Sequence, residues 1–384
     1  MSDIDKKTWP RLVRVGIHTD GKPVLSYVGE EEKHVICLHN QLIGGGFHWE
    51  KTIRTLHDGK IESFSDSATP TITLVETLPI ERYLESVVSS EMNPEAPGEF
   101  LKAHAIVARS WLLGKIMRCH GIDADNGRIR KRDIIVDWTD TEAHDRFDVC
   151  SSDHCQRFEG IGDTDSRIKE IVKETEGMFL ADKTGMPADA RFSKCCGGHT
   201  ELFSTCWQNT DYQYLTAHED PYCDLSQMDP DKRNAFLRTI LKDYDVETAD
   251  YMDWKRTVMK KDVSRHLREK FGIDIGDVTD VGIQKRGPSR RIITIRINGS
   301  KGSIVVGKEL MVRRLFSDSH LHSSAFKIEQ TPEAFILRGK GWGHGVGMCQ
   351  IGAANMARLG HTCRDILRFY YPNTSIRNIN DDNR

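Results

Sequence analysis

PIERYLESVVSSEMNPEAPGEFLKAHAIVARSWLLGKIM, residues 79–117, is the stretch on which the fold turns. Ile80, Leu84, Val87, Val88 and Met92 recur at helical spacing, with Pro79 suited to a first turn and Pro94 just past the end. A second helix is expected from about Glu99 to Met117. Its apolar residues Leu101, Ala105, Ile106, Ala108, Trp111, Leu112, Leu113 and Ile116 surround most of the circumference, which predicts a central, buried helix. Arg109 inside such a helix requires an acidic partner.

On the N-terminal side the period changes. RLVRVGI (11–17), PVLSYV (23–28), HVICLH (34–39) and TITLVETL (71–78) read as short strands broken by Gly, Asp and Asn. On the C-terminal side, residues 121–165 are polar and loop-like, and SRIKEIVKETEGMFLAD gives a short helix and a strand. Residues 228–270 are charged and helical, and DVTDVGIQKRGPSRRIITIRINGSKGSIVVG returns to strand and turn, with GPSR as a hairpin connection. A last strand, AFILRGKG, enters a glycine-rich segment followed by a helix from about Gln350 to Leu359 that Gly360 can cap. Strands and helices do not alternate as βαβ units, so the expectation is α+β: β-rich regions around a central buried helix and a helical hairpin, with a cleft between subdomains. The divisions expected are a β-rich region to residue 75, a catalytic core over 76–225, a charged helical insertion with a β subdomain over 226–330, and a segment over 331–384 that completes the core.

Composition narrows the function. The 384 residues are 38% hydrophobic and 29% charged, with 54 basic against 57 acidic side chains and a formal charge of −3. Wholesale disorder is excluded, and no basic block recommends nucleic acid or anionic lipid as a partner. No run approaches the roughly 18 apolar residues of a membrane span, and MSDIDKKTWPRLVRVGI lacks the apolar core of a secretory signal. As written, the sequence predicts a cytoplasmic location. The ten cysteines are then expected to stay reduced. Cys37, Cys119, Cys349 and Cys363 stand apart and are expected to be small core residues.

Four constellations could carry chemistry. GKGWGHGVGMCQIG has glycine at 339, 341, 343, 345 and 347, which in an extended chain strips one face and leaves Trp342, His344, Val346 and Met348 on the other. The bare face suits either a tightly packed strand or the close approach of another backbone or a ligand. Neither a phosphate loop nor a dinucleotide fingerprint is present. Glu91 closes the first helix, where the negative end of the dipole disfavours ionisation, as a general acid near neutral pH requires; the alternative is an ordinary solvated glutamate. In ARFSKCCGGHTE, Ser193, Cys195, Cys196 and His199 crowd a Gly-Gly turn, and Cys196 with His199 could form a nucleophile and base. Finally, His144, Cys150, His154 and Cys155 lie close enough for one loop to wrap an ion. Two thiolates and two imidazoles are a tetrahedral zinc set, structural if all four positions belong to the protein; otherwise they are polar loop residues.

Taken together, LPIERYLESVVSSEM, LKAHAIVARSWLL, FSKCCGGHTELFSTCW and the segment from SSAFKIEQ through GKGWGHGVGMCQIGAANMARLG to ILRFYYPNTSI resemble the stage II sporulation protein D and amidase-enhancer family of peptidoglycan-acting proteins. The resemblance runs from about residue 11 to 376. It implies a lytic transglycosylase that cuts the β-1,4 bond between N-acetylmuramic acid and N-acetylglucosamine and closes a 1,6-anhydro ring. By the same resemblance Glu91 is the catalytic acid, and Arg109 orients Glu91 or the substrate through an indirect arrangement. Ser193, Gly197, Gly198, His199, His344 and Gln350 would line the glycan groove, and the four His and Cys residues would hold a bracing zinc. Peptidoglycan strands or soluble muropeptides are the implied substrates, and a cell-wall amidase is a possible partner if the protein is a non-catalytic enhancer. Three departures stand out: His104 where relatives usually carry Gln, cysteines at 195 and 196 where small hydroxyl residues or alanine are common, and the absence of an export signal. The last implies either a start further upstream or action on imported wall fragments.

Overall fold

A computed structural model describes residues 9–19, 25–27, 34–42, 50–57, 59–65, 72–118, 127–138, 144, 146–151, 154–160, 162, 164–242, 245 and 251–381. Cys119 and the side chain of Cys37 lie outside the described set, as do the first eight residues. The fold is α+β, with helices packed among mixed and antiparallel sheets.

The strand Ile72–Pro79 pairs antiparallel with Leu12–Thr19, in register from Leu12 opposite Pro79 to Thr19 opposite Ile72. Val13, Val15 and Ile17 are buried while Leu12 is 56% exposed, the alternation expected of a half-buried strand. Pro79 ends that strand and starts helix α1 (Ile80–Glu91) in the same step, because it needs no N–H partner at a position where a helix offers none. Met92 returns to extended geometry and stops α1 beside Pro94. Helix α2 (Gly98–Arg118) follows, and each residue from Ala103 to Leu113 is buried. Burial all round is what its non-amphipathic sequence dictates, each large side chain contributing about 1.5–3 kcal/mol. It packs against α1, α3 (Ser166–Glu174), and the C-terminal helices α8 (Gln350–Arg358) and α9 (Cys363–Tyr370).

The apolar interior divides into two clusters. One holds residues from Trp9 to Tyr251 and again from Trp342 to Ile379; the other holds Trp254 to Leu337. The C-terminal segment therefore completes the first core. The insertion begins later than position 226: beyond the single-turn helix α4 (Phe203–Cys206), helix α5 (Pro230–Ile240) buries Phe236, Leu237 and Ile240 in the first core, because its apolar face matches that core. The second core contains α6 (Lys260–Phe271), α7 (Glu309–Leu315), the three-stranded sheet Trp254–Met259, Ala334–Gly339, Phe326–Gln330, and a five-stranded sheet. In the latter, Gly302–Gly307 runs parallel to Ile134–Val136, which joins the insertion to the region leading into the His/Cys loop.

The alternating glycines do not form a strand. Regular pairing covers only Ala334–Gly339 and Met348–Cys349, and Gly341, Gly343, Gly345 and Gly347 all have φ between 70° and 89°. Every second residue from 341 to 347 has a positive φ, and the segment meets its neighbours through the isolated bridges Cys195–Trp342 and Glu201–Val346. A Cβ at Gly347 would overlap the Arg191 carbonyl, and one at Gly345 the Arg291 guanidinium. The missing side chains make room for this chain's own atoms.

Candidate functional site

Glu91 is the last residue of α1, and its side chain is 12% exposed. Its carboxylate is held from two directions. Oε1 accepts from the Arg157 backbone N–H at 3.3 Å, and Oε2 accepts from the Gln350 amide at 3.3 Å. Lys194 Nζ stands 3.9 Å from Oε2, donates to the Glu91 backbone carbonyl at 3.1 Å, and pairs with Asp245 at 2.9 Å. Lys194 and Asp245 are buried, so the ammonium is positioned by a second carboxylate that solvent does not reach.

Behind Gln350 lies His104, fully buried in α2. Its Nε2 is 3.0 Å from Gln350 Nε2 and accepts one of the amide protons, while Nδ1 has no hydrogen-bond partner among the described residues. Burial, with the Lys194 charge adding to it, pushes the His104 pKa down to about 3. The imidazole is neutral at physiological pH and takes the proton on Nδ1, the tautomer that lets Nε2 accept.

Two short parallel strands, Phe192–Ser193 and Met348–Cys349, deliver Lys194 and Gln350 to this point. The glycine ribbon is stitched to them: Trp342 and Cys195 exchange backbone bonds of 2.8 and 3.0 Å, and Ser193 Oγ accepts from Gly345 N at 3.2 Å. Arg291, fully buried and contributed by the insertion, donates to the carbonyls of Gly343 and Cys196 at 3.0–3.1 Å.

The other residues singled out by sequence separate into distinct places. Arg109 donates to both carboxylate oxygens of Glu81, at 2.9 and 2.6 Å, and to the Met178 carbonyl at 2.9 Å. Its acidic partner sits at the opposite end of α1 from Glu91, so Arg109 holds the start of that helix rather than the Glu91 carboxylate. Gln350 is 1% exposed and its amide is spent on Glu91 and His104 rather than on a groove. His344 accepts from Val346 N at 3.0 Å and meets Trp207 edge-on at 4.9 Å. Gly197 and Gly198 adopt φ of 79° and 89° beside the ribbon.

The Cys–His nucleophile pair is not formed. His199 Nδ1 contacts the Thr200 carbonyl at 2.7 Å, whereas the Cys196 thiol donates to Asp220 at 3.3 Å and burial pushes its pKa well up. Cys349 is buried in the core as expected, but it is not solitary, since its sulfur accepts from the Cys196 backbone N–H at 3.3 Å.

His144, Cys150, His154 and Cys155 do converge, with all four donor atoms within 4.8 Å of one another. His144 Nε2 lies 3.2 Å from Cys155 Sγ, and His154 Nδ1 lies 3.7 and 3.6 Å from the sulfurs of Cys150 and Cys155. The chain leaving this loop runs along α1. Gln156 bonds Tyr83, Glu159 N donates to Ser90 Oγ at 3.1 Å, and Arg157 N reaches Glu91. Sequence reasoning missed Lys194, Asp245, Arg157 and Arg291; the one available signal was a lysine and two cysteines at the Gly-Gly turn.

A family model described as Stage II sporulation protein matches residues 68–181, the span carrying Glu91 and the His/Cys loop, and a domain of unknown function matches residues 201–347. The chain is 27% identical to Stage II sporulation protein D of Bacillus subtilis (strain 168) over 306 residues, 79% of this chain and 75% of that protein. It is 23% identical to the amidase enhancer of the same organism over 238 residues, 55% of this chain and 32% of that protein. An uncharacterised protein of Brachyspira hyodysenteriae is 25% identical over 314 residues, 82% of this chain and 71% of its own length. No described helix is long and apolar enough to cross a membrane.

Proposed function

We propose that this chain, similar over residues 68–181 to the stage II sporulation protein model and 27% identical to Stage II sporulation protein D, has a cell-wall role as a lytic transglycosylase acting on peptidoglycan strands or muropeptides. The observation that supports this most is the Glu91 carboxylate, which reaches the surface at a helix end while the nearest carboxylate linked to it through Lys194, Asp245, is buried. Glycosidases that use water or a covalent intermediate need a second carboxyl group on the far side of the bond. A sugar that attacks itself does not.

In the proposed reaction Glu91 gives its proton to the oxygen leaving as the 4-hydroxyl of N-acetylglucosamine, and the C1–O bond of N-acetylmuramic acid breaks. The 6-hydroxyl oxygen of the same muramic residue bonds to C1, and its proton passes to the Glu91 carboxylate. No water is consumed and Glu91 ends protonated, ready for the next bond. The Arg157 N–H, the Gln350 amide and the Lys194 ammonium stabilise the carboxylate between the two transfers.

His144, Cys150, His154 and Cys155 would hold a zinc ion. Two sulfur and two nitrogen donors fill a tetrahedron, so the ion braces rather than reacts. Its position would set the path of residues 155–159 along α1, and with it the N–H that meets Glu91.

Digestion of intact sacculi and of soluble disaccharide-peptides by wild type and Glu91→Gln tests the proposal. Anhydro-muramic ends formed by wild type and lost in the variant support it. Similarity to the amidase enhancer carries a second reading, a glycan-binding partner of a cell-wall amidase, which predicts no products from either protein and stimulation of an added amidase by both.

A further inference from the structure

A second cluster of donors lies at the ends of the two short strands that lead to Lys194 and Gln350. Cys196, Asp220, Cys223 and Cys349 come from three separated segments, are all buried, and place one donor atom each within 4.8 Å of the others. We propose that these four residues bind a single zinc ion, distinct from the His/Cys loop, that locks the strands bearing Lys194 and Gln350.

Three observations carry the assignment. The first is spacing. Four ligands about 2.1–2.3 Å from one zinc ion define a tetrahedron with edges of roughly 3.8 Å. The donors here need to close by less than about an ångström to reach it. A multi-iron cluster spreads its cysteine sulfurs over separate corners and would need a wider cage.

The second is the set of backbone amides. Cys349 Sγ accepts from Cys196 N at 3.3 Å and from Gly352 N at 3.4 Å, at the first turn of the nine-residue helix α8. N–H groups and a helix N-terminus aimed at sulfur stabilise thiolates, the form in which cysteine binds metal, and give a buried neutral thiol little.

The third is Asp220. It is 1% exposed, and no Lys or Arg pairs with it among the described residues. Its Oδ1 is held by the N–H groups of Tyr222 and Cys223, both at 3.1 Å, while Oδ2 is aimed at the cluster and steadied by the Tyr370 hydroxyl at 2.8 Å. A carboxylate anchored on one oxygen, oriented by a second hydrogen bond and buried among sulfurs has the surroundings of a ligand that balances a divalent cation. Cys195, whose sulfur lies 3.5 Å from that of Cys223, flanks the set.

Zinc content of the purified full-length chain tests this, with Cys150→Ser/His154→Ala to silence the other loop. That variant is expected to retain one tightly held zinc, and the further change Cys223→Ser or Cys349→Ser to abolish it. Tyr370→Phe keeps all four donors and serves where a cysteine variant fails to fold; it is expected to weaken zinc binding about 10- to 100-fold in competition with a chromophoric chelator. Cobalt added in place of zinc should give thiolate-to-metal absorption in the loop-silenced protein. Equal zinc content with and without Cys223, an unchanged affinity in Tyr370→Phe, or a non-reducing peptide map joining Cys195 to Cys223 would each overturn the proposal.

Discussion

Replacing His104 with glutamine tests the hydrogen-bonded chain behind Glu91 through a quantity that activity does not confound. The imidazole sits wholly inside the first core, where its pKa is pushed down to about 3 from the ordinary 6.5. As pH falls below 6.5 the unfolded chain takes a proton that the folded chain refuses, so the unfolded state is favoured progressively until pH 3. The contribution is thus fully present above pH 6.5 and lost on acidification. The whole gap is worth at most about 5 kcal/mol, and the part lost between pH 7.5 and pH 5 is about 2 kcal/mol. Other buried histidines, such as His322, add their own slopes, so the informative quantity is a difference. Urea unfolding followed by tryptophan fluorescence, at pH 7.5 and 5.0, should show the variant losing about 2 kcal/mol less than wild type. Glutamine can accept the Gln350 amide proton as the imidazole does, so activity at neutral pH is expected to survive. Parallel losses in the two proteins would mean that His104 is charged in the fold, and the neutral acceptor assigned to Gln350 would be refuted.

Three other outcomes follow from the geometry. Glu81→Ala leaves the fully buried Arg109 guanidinium with only the Met178 carbonyl and should cost about 3–5 kcal/mol, more than Arg109→Met, because Glu81 is 28% exposed and can turn to water; thermal unfolding of both variants checks the order. Lys194→Met should lower both stability and glycan cleavage, and adding Asp245→Asn should recover the stability but not the cleavage, as read by melting and by release of anhydro ends. Gly347→Ala places a side chain against the Arg191 carbonyl at a φ of 70° and should destabilise the protein by more than about 1 kcal/mol in denaturant titration, whereas Gly360→Ala, with nothing near its Cβ, bears only the conformational cost.

What sequence reveals here depends on how far apart the partners lie along the chain. The limits of α1 follow from a period and two prolines, and the burial of α2 from an apolar circumference, because both are written within one turn of the residues concerned. The four donors of the His/Cys loop were equally visible, lying within a dozen residues. The contacts that organise Glu91 were not: Lys194 lies 103 positions from it and Gln350 259, and His104 meets Gln350 across 246. Cys349 looks solitary for the same reason, its hydrogen-bonded cluster partner Cys196 being 153 positions away. The ribbon failed differently. Alternate glycines announce an unusual backbone, but the same spacing serves a flat strand and a chain of alternating positive φ, and the sign of φ is not encoded in a period. Only the packing of Arg191, Ser193 and Arg291 against it decides.

The division of the first core between residues 9–251 and 342–379 has a consequence for biosynthesis. A ribosome that has produced α1 and α2 has made the acid but not the amide that holds it, nor the helices that cover α2. The intervening insertion must emerge before either arrives. A chain interrupted anywhere upstream of α8 would therefore carry an unrestrained glutamate on an uncovered apolar helix, a substrate for chaperones and proteases. Packing around Glu91 would therefore wait for the segment from Trp342 onward, however early the helix that carries it is made.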